Sequence, residues 1–296
     1  MPRVNWATQL AVFAIPLPPE KEQHRIATYL DKTCAAIDTA IEKKQKQLET
    51  LDALRKSIIH KAVTRGLDDS IELKDSGVEW IGRIPFTWKV TRLKNLARIR
   101  YGLGQPPQEQ EDGIPMIRAT NIDAGHILEE GLLRVDPDAL PLEREPYLQE
   151  DDIIVVRSGA YTGDSAIIPQ KYSGAVAGYD MVVTVKKADP KFISYSLLSS
   201  YVLDGQLLLM TLRAAQPHLN AEELGSIVIV LPGTVKEQQE IALYINNKLG
   251  QIDKVQNSLS SQITTLEQYR KSLIHECVTG KRRITEAHLK EIETHV

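Results

Sequence analysis

The sequence has few of the residues and motifs from which catalytic and metal sites are built. It contains two cysteines and seven histidines in 296 residues, and no cysteine or histidine pair has the spacing of zinc ligands. No phosphate-binding Gly-x-x-x-x-Gly-Lys-Ser/Thr motif occurs, and Gly102-Leu103-Gly104 lacks the third glycine of a dinucleotide fingerprint. Gln105-Pro106-Pro107-Gln108 does not match the Asn/Asp-Pro-Pro-aromatic tetrapeptide of amino-methyltransferases. We therefore expect no catalytic residue and no metal site in this chain.

Long hydrophobic runs are also missing. No apolar stretch approaches the roughly 18 residues that a membrane span needs, and the N-terminus lacks the basic and apolar regions of a secretory signal. Both cysteines, Cys34 and Cys277, fall at apolar positions of helical patterns, which predicts buried thiols in a reducing compartment. We expect a cytoplasmic protein.

The net charge is only −3, but the charges are unevenly distributed. Residues 83–107 contain six basic side chains and no acidic one, whereas acidic residues gather in 66–79, 109–112 and 129–152. The basic residues are Arg83, Lys89, Arg92, Lys94, Arg98 and Arg100. This segregation would allow one positive face to contact phosphates, although most runs of charge are simply solvated surface.

One long segment occurs twice in the chain. Lys21–Thr64 aligns without a gap with Lys236–Thr279, at an offset of 215 residues, and 18 of the 44 pairs are identical. In each copy the apolar residues recur alternately every four and three positions, which is typical of a coiled coil. Since one narrow apolar seam cannot be buried alone, we expect the two helices to pair with each other in antiparallel fashion.

The ends of both predicted helices carry recognisable signals. Pro18-Pro19-Glu20 places proline and an acid where the first helix begins. Gly66 and Gly280 follow the two helices, where a left-handed glycine commonly ends a helix. Arg55 and Arg270 interrupt the apolar seams at equivalent places, and we expect them to end the seam or meet a carboxylate.

Between the helices, the pattern changes to short strand-like runs separated by glycine and proline. We predict one mixed α/β domain over residues 83–232, with a helical stretch at Phe192–Met210. The remaining boundaries follow from the repeat and from the glycine and proline residues between segments. We predict a terminal strand from a missing domain in 1–19, helices in 20–65 and 233–283, a connector in 66–82 and a tail in 284–296. The predicted fold class is α+β.

Several motifs, in the right order, resemble the DNA-specificity subunits of type I restriction-modification systems. Lys74–Pro85, with Trp88 and Arg92-Leu93-Lys94 behind it, is similar to the entry of a target-recognition domain of that family. Asp152–Val155 with Arg157-Ser158-Gly159 resembles its central strand and loop, and Gln216–Asn220 resembles its exit. The family usually has two recognition domains, each followed by a spacer helix, whereas here the first is reduced to a terminal strand.

The resemblance implies a non-catalytic subunit that reads one half-site of double-stranded DNA. The helix pair would set the distance between half-sites and dock methyltransferase subunits, which carry S-adenosylmethionine and methylate adenine; a restriction subunit can join. Two copies of the chain could also associate and read a symmetric site. This chain itself would bind no cofactor and no metal.

The loops of the predicted domain supply the candidates for DNA contact. Candidates for reading base edges are Arg118, Asn121, Arg157, Tyr161, Thr162, Arg213 and Gln216. Candidates for phosphate contact are Lys89, Arg92, Lys94, Arg98 and Arg100. Asp151-Asp152 could bind a metal, but we expect a solvated turn there.

Two other functions are compatible with parts of the sequence. A coiled-coil adaptor or decoy would bind methyltransferase subunits without recognising DNA. A self-sufficient methyltransferase or nuclease would turn over substrate alone, and the missing motifs argue against it.

Overall fold

The computed structural model describes residues 16–105, 107–211 and 218–295. The chain divides into two compact units, one formed by the residues up to Asp52 and from Gln251 onward, the other by Ala53–Gly250. The two long helices are α1, which spans Glu20–Arg65, and a second helix that spans Val235–Val278. Each of them contributes residues to both units. The expected terminal strand in 1–19 lies almost entirely outside the described residues.

The first unit is an antiparallel helix pair. Nε of Arg270 lies 2.9 Å from Oδ1 of Asp38, and Lys44 donates a 2.6 Å hydrogen bond to Gln262. Gln256 donates another, also of 2.6 Å, to Asp52. Residue numbers rise along one helix as they fall along the other, so the predicted antiparallel pairing is confirmed, as is the expected carboxylate partner of Arg270.

The core of this unit contains the side chains that the repeat places on its seams. Ile37, Leu273 and Cys277 lie on the predicted seams and form one buried cluster with Tyr29, which lies beside the seam of α1. Both cysteines are buried free thiols, as predicted. The helices end at Arg65 and Val278. Gly66 and Gly280 follow them, and their φ angles of 77° and 75° are in the left-handed region that glycine tolerates.

The second unit is a mixed α/β domain that contains all the described strands. The strands are β1 (Leu73–Asp75), β2 (Arg83–Pro85), β3 (Lys89–Arg92), β4 (Ala97–Tyr101), β5 (Glu109–Ile117), β6 (Ile122–Asp123), β7 (His126–Ile127), β8 (Leu133–Val135), β9 (Ile153–Val155), β10 (Ser165–Ile167), β11 (Val176–Ala177), β12 (Met181–Val185) and β13 (Val228–Leu231). The predicted fold class, a mixed α/β domain with two long helices, is confirmed.

Two of the sheets set up the surface that matters for function. One has the strand order β10-β9-β12-β4, with antiparallel neighbours, and the other has the order β11-β5-β8. Strand β9 lies between β10 and β12 in the first of these sheets. Its continuous apolar sequence, Ile153-Ile154-Val155, fits this inner position, since all three side chains are fully buried. Ile117, Leu148 and Ile168 belong to the same core cluster. The loops at the ends of β4, β5 and β9 are thereby anchored in a rigid core.

Further helices follow α1 in chain order. They are α2 (Pro190–Leu197), α3 (Ser200–Val202), α4 (Leu208–Thr211), α5 (Ala221–Ser226), α6 (Val235–Val278) and α7 (Glu286–His295). The helical stretch predicted at Phe192–Met210 is interrupted, and a π-helical turn occupies Leu203–Leu207. A Cβ at Gly205 would lie 2.9 Å from Trp80, so glycine is needed where this ring approaches the turn.

The tail predicted for 284–296 contains a helix. Ile284 and, from α7, Leu289 and Ile292 pack against the buried cluster of the helix pair. His288 meets Tyr29 edge-to-face, with ring centroids 6.2 Å apart. This segment therefore belongs to the first unit.

Candidate nucleic-acid interface

Arg157 is held between two tyrosine rings at the end of β9. Its guanidinium carbon lies 4.6 Å from the ring centroid of Tyr101 and 4.2 Å from that of Tyr179. One terminal nitrogen, Nη2, is 3.3 Å from Nε2 of His218. The other terminal nitrogen has no hydrogen-bond partner among the described residues. Contact with two aromatic rings restricts the orientation of the guanidinium while leaving donors at its edge, so the side chain is preorganised for a ligand.

Asp180 is the buried residue that ties this arrangement to the core. Its carboxylate accepts hydrogen bonds from the backbone amides of Arg157, at 3.2 Å, and Ala119. Burial raises the pKa of Asp180 above its usual value, against the lowering effect of these amides and of the Arg157 charge. One buried carboxylate thus joins the loops that follow β5 and β9 to the start of β12.

A close backbone approach completes the connection between β4 and β12. A Cβ at Gly102 would lie 2.3 Å from the carbonyl oxygen of Gly178, which no side chain could tolerate. The amide of Gly102 donates a 2.8 Å hydrogen bond to the carbonyl of Asp180. Glycine at position 102 therefore allows the backbone approach that brings both Tyr101 and Tyr179 to Arg157.

Arg118 and Asn121 stabilise their own loop. Asn121 is fully buried, and its side-chain amide donates to the carbonyls of Leu128 and Glu130 while its oxygen accepts from the amide of Arg118. Nη2 of Arg118 donates a 2.9 Å hydrogen bond to the carbonyl of Gly131. The expectation that Asn121 reads a base must be corrected, because all of its side-chain polar atoms are used inside the protein.

Tyr161 and Thr162 lie in the loop that carries Arg157 into β10. The ring of Tyr161 is exposed. The Thr162 hydroxyl donates a 2.7 Å hydrogen bond to the carbonyl of Gly159, which tightens the turn. Asp164 closes the loop by accepting from the amides of Ala124 and Ser165, and burial raises its pKa. Tyr161 is thus presented at the tip of a loop with a fixed shape.

Of the phosphate candidates, Lys89, Arg92 and Lys94 are exposed on β3 and in the turn after it. The amide hydrogen bonds of β3 to β13 hold this segment rigidly, with Lys89 opposite Leu231 and Arg92 opposite Val228. No carboxylate lies within ion-pair distance of these three cations among the described residues. They can therefore meet phosphates without first breaking an ion pair.

Arg98 and Arg100, on β4, are already engaged. Nη1 of Arg98 lies 2.6 Å from the Glu145 carboxylate, and this pair is exposed. Nη2 of Arg100 donates to the carbonyl of Tyr147 at 2.9 Å and lies 3.4 Å from the buried carboxylate of Asp152. Burial lowers the pKa of Arg100, and Asp152 counteracts that effect. The expectation that Arg100 contacts phosphate is corrected, because its guanidinium belongs to a buried ion pair.

The prediction of a solvated turn at Asp151-Asp152 is wrong for Asp152. Its carboxylate also accepts hydrogen bonds from the Thr184 hydroxyl, at 2.6 Å, and from the amide of Gln149, at 3.0 Å. No group of histidine, cysteine or carboxylate side chains among the described residues could hold a metal ion. Asp152 is a structural acceptor.

Two candidates, Arg213 and Gln216, lie outside the described residues. The adjacent His218 contacts Arg157 and forms an isolated β-bridge with Ser158. Sequence reasoning named the loops that contain Tyr101 and His218 but not these two residues as candidates, and it missed Tyr179 and Asp180 entirely. The signal that could have indicated Tyr179 and Asp180 is their position, together with Gly178, directly before a buried strand.

Comparison with known families decides what this domain is. A family model described as the type I restriction modification DNA specificity domain matches residues 85–268, more than half of the chain. The chain belongs to this family. The matched range begins at β2 and includes every described residue of the Arg157 site.

Curated members of the family resemble almost the whole chain. The MjaVIII specificity subunit of the type I restriction enzyme from Methanocaldococcus jannaschii is 26% identical over 283 residues, covering 91% of this chain and 62% of the relative. The EcoBI specificity subunit from Escherichia coli is 24% identical over 277 residues, covering 90% of this chain and 58% of the relative. The chain thus spans about three fifths of the length of these specificity subunits.

A solved structure shows that the fold is shared. A chain from work on complex assembly and conformational transition of the type I R-M system superimposes with a TM-score of 0.67. The sequence identity is 14%, and the match covers 94% of this chain and 67% of the other. No helix in the described part of the chain is both long enough and apolar enough to span a bilayer.

Proposed function

We propose that this chain is a sequence-specific DNA-recognition subunit of a type I restriction-modification complex. The observation that carries the proposal is the Arg157 guanidinium, which is fixed between Tyr101 and Tyr179 within the matched specificity domain. An arginine with a fixed plane and unused donors at its edge is suited to two parallel hydrogen bonds with a base edge. Non-specific adhesion to DNA would not require such positioning.

The base that Arg157 reads is expected to be guanine. Guanine presents two acceptors, N7 and O6, side by side in the major groove, and they match the spacing of guanidinium donors. Tyr161 and Thr162, in the same loop, are candidates for a neighbouring position. Arg213 and Gln216 remain proposed base readers, whereas Arg118 contributes mainly by holding its loop.

The exposed cations on and after β3 are proposed to contact the DNA backbone. Lys89, Arg92 and Lys94 lie on one short segment and have no ion-pair partner among the described residues. Such contacts position the protein on the duplex and carry no sequence information. Arg98 could join them only if it leaves Glu145.

The helix pair is proposed to be the spacer and the docking surface for methyltransferase subunits. In that complex the methyltransferase would bind S-adenosylmethionine and methylate adenine, and a restriction subunit can join. The present chain would contribute no catalytic group. Association of two copies would give a twofold reader of a symmetric, interrupted site.

The test is co-expression with a methyltransferase subunit of a type I system, followed by isolation of the complex and mapping of methylated adenines. We expect a complex that methylates adenine only within one short sequence context. The alternative function, an adaptor or decoy, predicts a stable complex that neither retains DNA selectively nor methylates a defined site. Turnover by the purified chain alone would contradict a non-catalytic role.

A further inference from the structure

The short segment that leads into α5 contacts the Arg157 site at successive points. The ring of His218 comes first, and its Nε2 lies 3.3 Å from Nη2 of Arg157. The backbone amide of Leu219 then donates a 2.8 Å hydrogen bond to the carbonyl of Arg157. The amide of Ala221 donates another, of 3.0 Å, to the Tyr101 hydroxyl. The segment is therefore bonded to both the backbone and the side chains of the site.

The backbone of this segment is fixed by its own contacts. Leu219 is fully buried, and the next residue, Asn220, exchanges hydrogen bonds with Glu223 in both directions and so caps α5. His218 itself forms a β-bridge with Ser158. The His218 side chain is exposed, but it extends from a rigid backbone and can hold a partner in a constant place.

The bond between His218 and Arg157 defines the protonation state of the imidazole. A guanidinium has N–H donors and no acceptor, so Nε2 of His218 must accept. The ring is therefore neutral, and its proton is on Nδ1. A cationic side chain at position 218 would offer only donors and would repel Arg157.

The same bond limits which donors of Arg157 can reach a ligand. Its Nε is buried and has no hydrogen-bond partner among the described residues. His218 uses one of the hydrogens of Nη2, so the remaining accessible donors belong to Nη1 and Nη2. Two parallel bonds to one ligand must then come from the end of the guanidinium and not from its Nε side.

We propose that His218 is a positioning residue for base recognition, which holds Arg157 with the end of its guanidinium toward N7 and O6 of a guanine. The proposal rests on the proposed function, in which Arg157 reads that base. Contact with the rings of Tyr101 and Tyr179 attracts the charge as a whole and does not select one of its N–H bonds. His218 supplies this selection because a hydrogen bond is directional.

A direct contact between His218 and DNA is the competing role for this exposed ring. In that role, Nδ1–H would donate to a base or a phosphate whether or not Arg157 is present. In the proposed role, every effect of His218 passes through Arg157. The two roles therefore predict different results when both residues are replaced.

The test uses the chain in complex with a methyltransferase subunit of a type I system, bound to a duplex that carries the motif it selects. The guanine whose preference is lost in Arg157→Ala is replaced by 7-deazaguanine, which lacks N7, or by 2-aminopurine, which lacks O6. For the original chain, each analogue should weaken binding by about tenfold, because one of two hydrogen bonds is lost. In His218→Ala, both penalties should fall below about threefold, since the guanidinium no longer presents its end to both acceptors.

Two further variants test whether position 218 needs an acceptor. His218→Gln should restore both penalties, because its amide oxygen can accept from Nη2. His218→Lys should not restore them, because an ammonium group only donates. Since the side chain is exposed, all three variants should melt within about 2 °C of the original chain.

Combining His218→Ala with Arg157→Ala separates positioning from direct contact. In the Arg157→Ala background, the loss of His218 should change affinity by less than about twofold. A larger loss would show that His218 touches DNA itself and would overturn the proposal.

The other outcomes are equally distinct. Penalties that persist in His218→Ala, or that return in His218→Lys, would contradict the positioning role. A lowered melting temperature with equal weakening on every duplex would assign His218 a purely structural role, which also overturns it. A complex that selects no motif would refute the proposed function and the inference together, whereas a selected motif that is indifferent to His218 refutes the inference alone.

Discussion

The guanidinium carbon of Arg157 lies 4.2 Å above the ring of Tyr179, and the backbone amide of the same arginine is bonded to Asp180, the next residue. The two residues directly before β12 therefore both hold Arg157. Tyr179 contacts its guanidinium group, and Asp180 accepts a hydrogen bond from its backbone amide. The ring centroid of Tyr101 lies 4.6 Å from the same guanidinium carbon. A residue fixed in this way should determine sequence specificity more than overall affinity.

Arg157→Ala should relax methylation at one base of the recognised sequence. The loss of a bidentate contact with guanine is expected to reduce discrimination by about 1–3 kcal/mol, with little change at other positions. Arg157→Lys should behave similarly, because an ammonium group cannot form the paired hydrogen bonds. The measurement is site mapping with the co-purified methyltransferase. Tyr179→Phe is the matched control, since it keeps the ring and should keep specificity.

Lys89→Ala and Arg92→Ala should weaken DNA binding without changing the preferred sequence. Each substitution is expected to reduce the slope of log affinity against log salt by about one, because one phosphate contact releases about one counterion. Binding to specific and unrelated duplexes should be measured at several salt concentrations. Lys171→Ala is the control, since Lys171 is bonded to Glu129 on another loop. A loss confined to the specific duplex would contradict a phosphate role.

Glu237→Ala should destabilise the recognition domain, whereas Glu22→Ala should not. The first change leaves the buried indole N–H of Trp88 without an acceptor, at a cost of about 1–3 kcal/mol. The second removes a carboxylate that has no partner among the described residues, so the free energy of unfolding should change by less than about 0.5 kcal/mol. Urea unfolding followed by tryptophan fluorescence measures both. Equal losses would show that the two copies have equivalent surroundings.

Mild acid should destabilise the domain through His60. Burial, with a smaller effect from Arg65, lowers the pKa of His60 below its usual 6.5, and its Nδ1 lies 2.8 Å from the Ser200 hydroxyl. Between the lowered pKa and 6.5 the unfolded chain binds more protons than the folded one, so stability falls as pH falls through this window. His60→Gln should flatten the dependence measured by urea unfolding across that range.

The matched control for this titration is His275→Gln, at the equivalent position of the second copy. His126 contributes in the same direction, because burial and Arg55 lower its pKa. The double variant of His60 and His126 should therefore be flatter than either single variant. A pH dependence that is unchanged in His60→Gln would rule out this histidine as a source.

The helices could be predicted from local sequence because their signals are local. Proline and an acid mark the start of α1, and glycine after Arg65 marks its end. The antiparallel pairing followed from an apolar seam that has to be buried. The short helix α7 was missed, because its ten residues fold against Tyr29 and are too few to show a strong period of their own.

The candidate site was predicted only in part, because burial depends on contacts between distant residues. Arg157 was identified from its loop, but its partners come from β4 and from the start of β12, which the sequence alone does not bring together. Asn121 and Arg100 had the right chemistry for DNA contact, but Asn121 is satisfied inside the protein and Arg100 is bonded to Tyr147 and paired with Asp152. A polar residue type indicates what a side chain can bond to, and only the fold decides where its partner lies.

The most direct test of the account is selection from a random-sequence DNA library by the chain in complex with its methyltransferase. The account predicts enrichment of one short motif that contains a guanine, and loss of preference at that guanine when Arg157 is replaced by alanine. Stable complexes that enrich no motif, or a motif that is unchanged in Arg157→Ala, would contradict the claim that this domain reads DNA through Arg157.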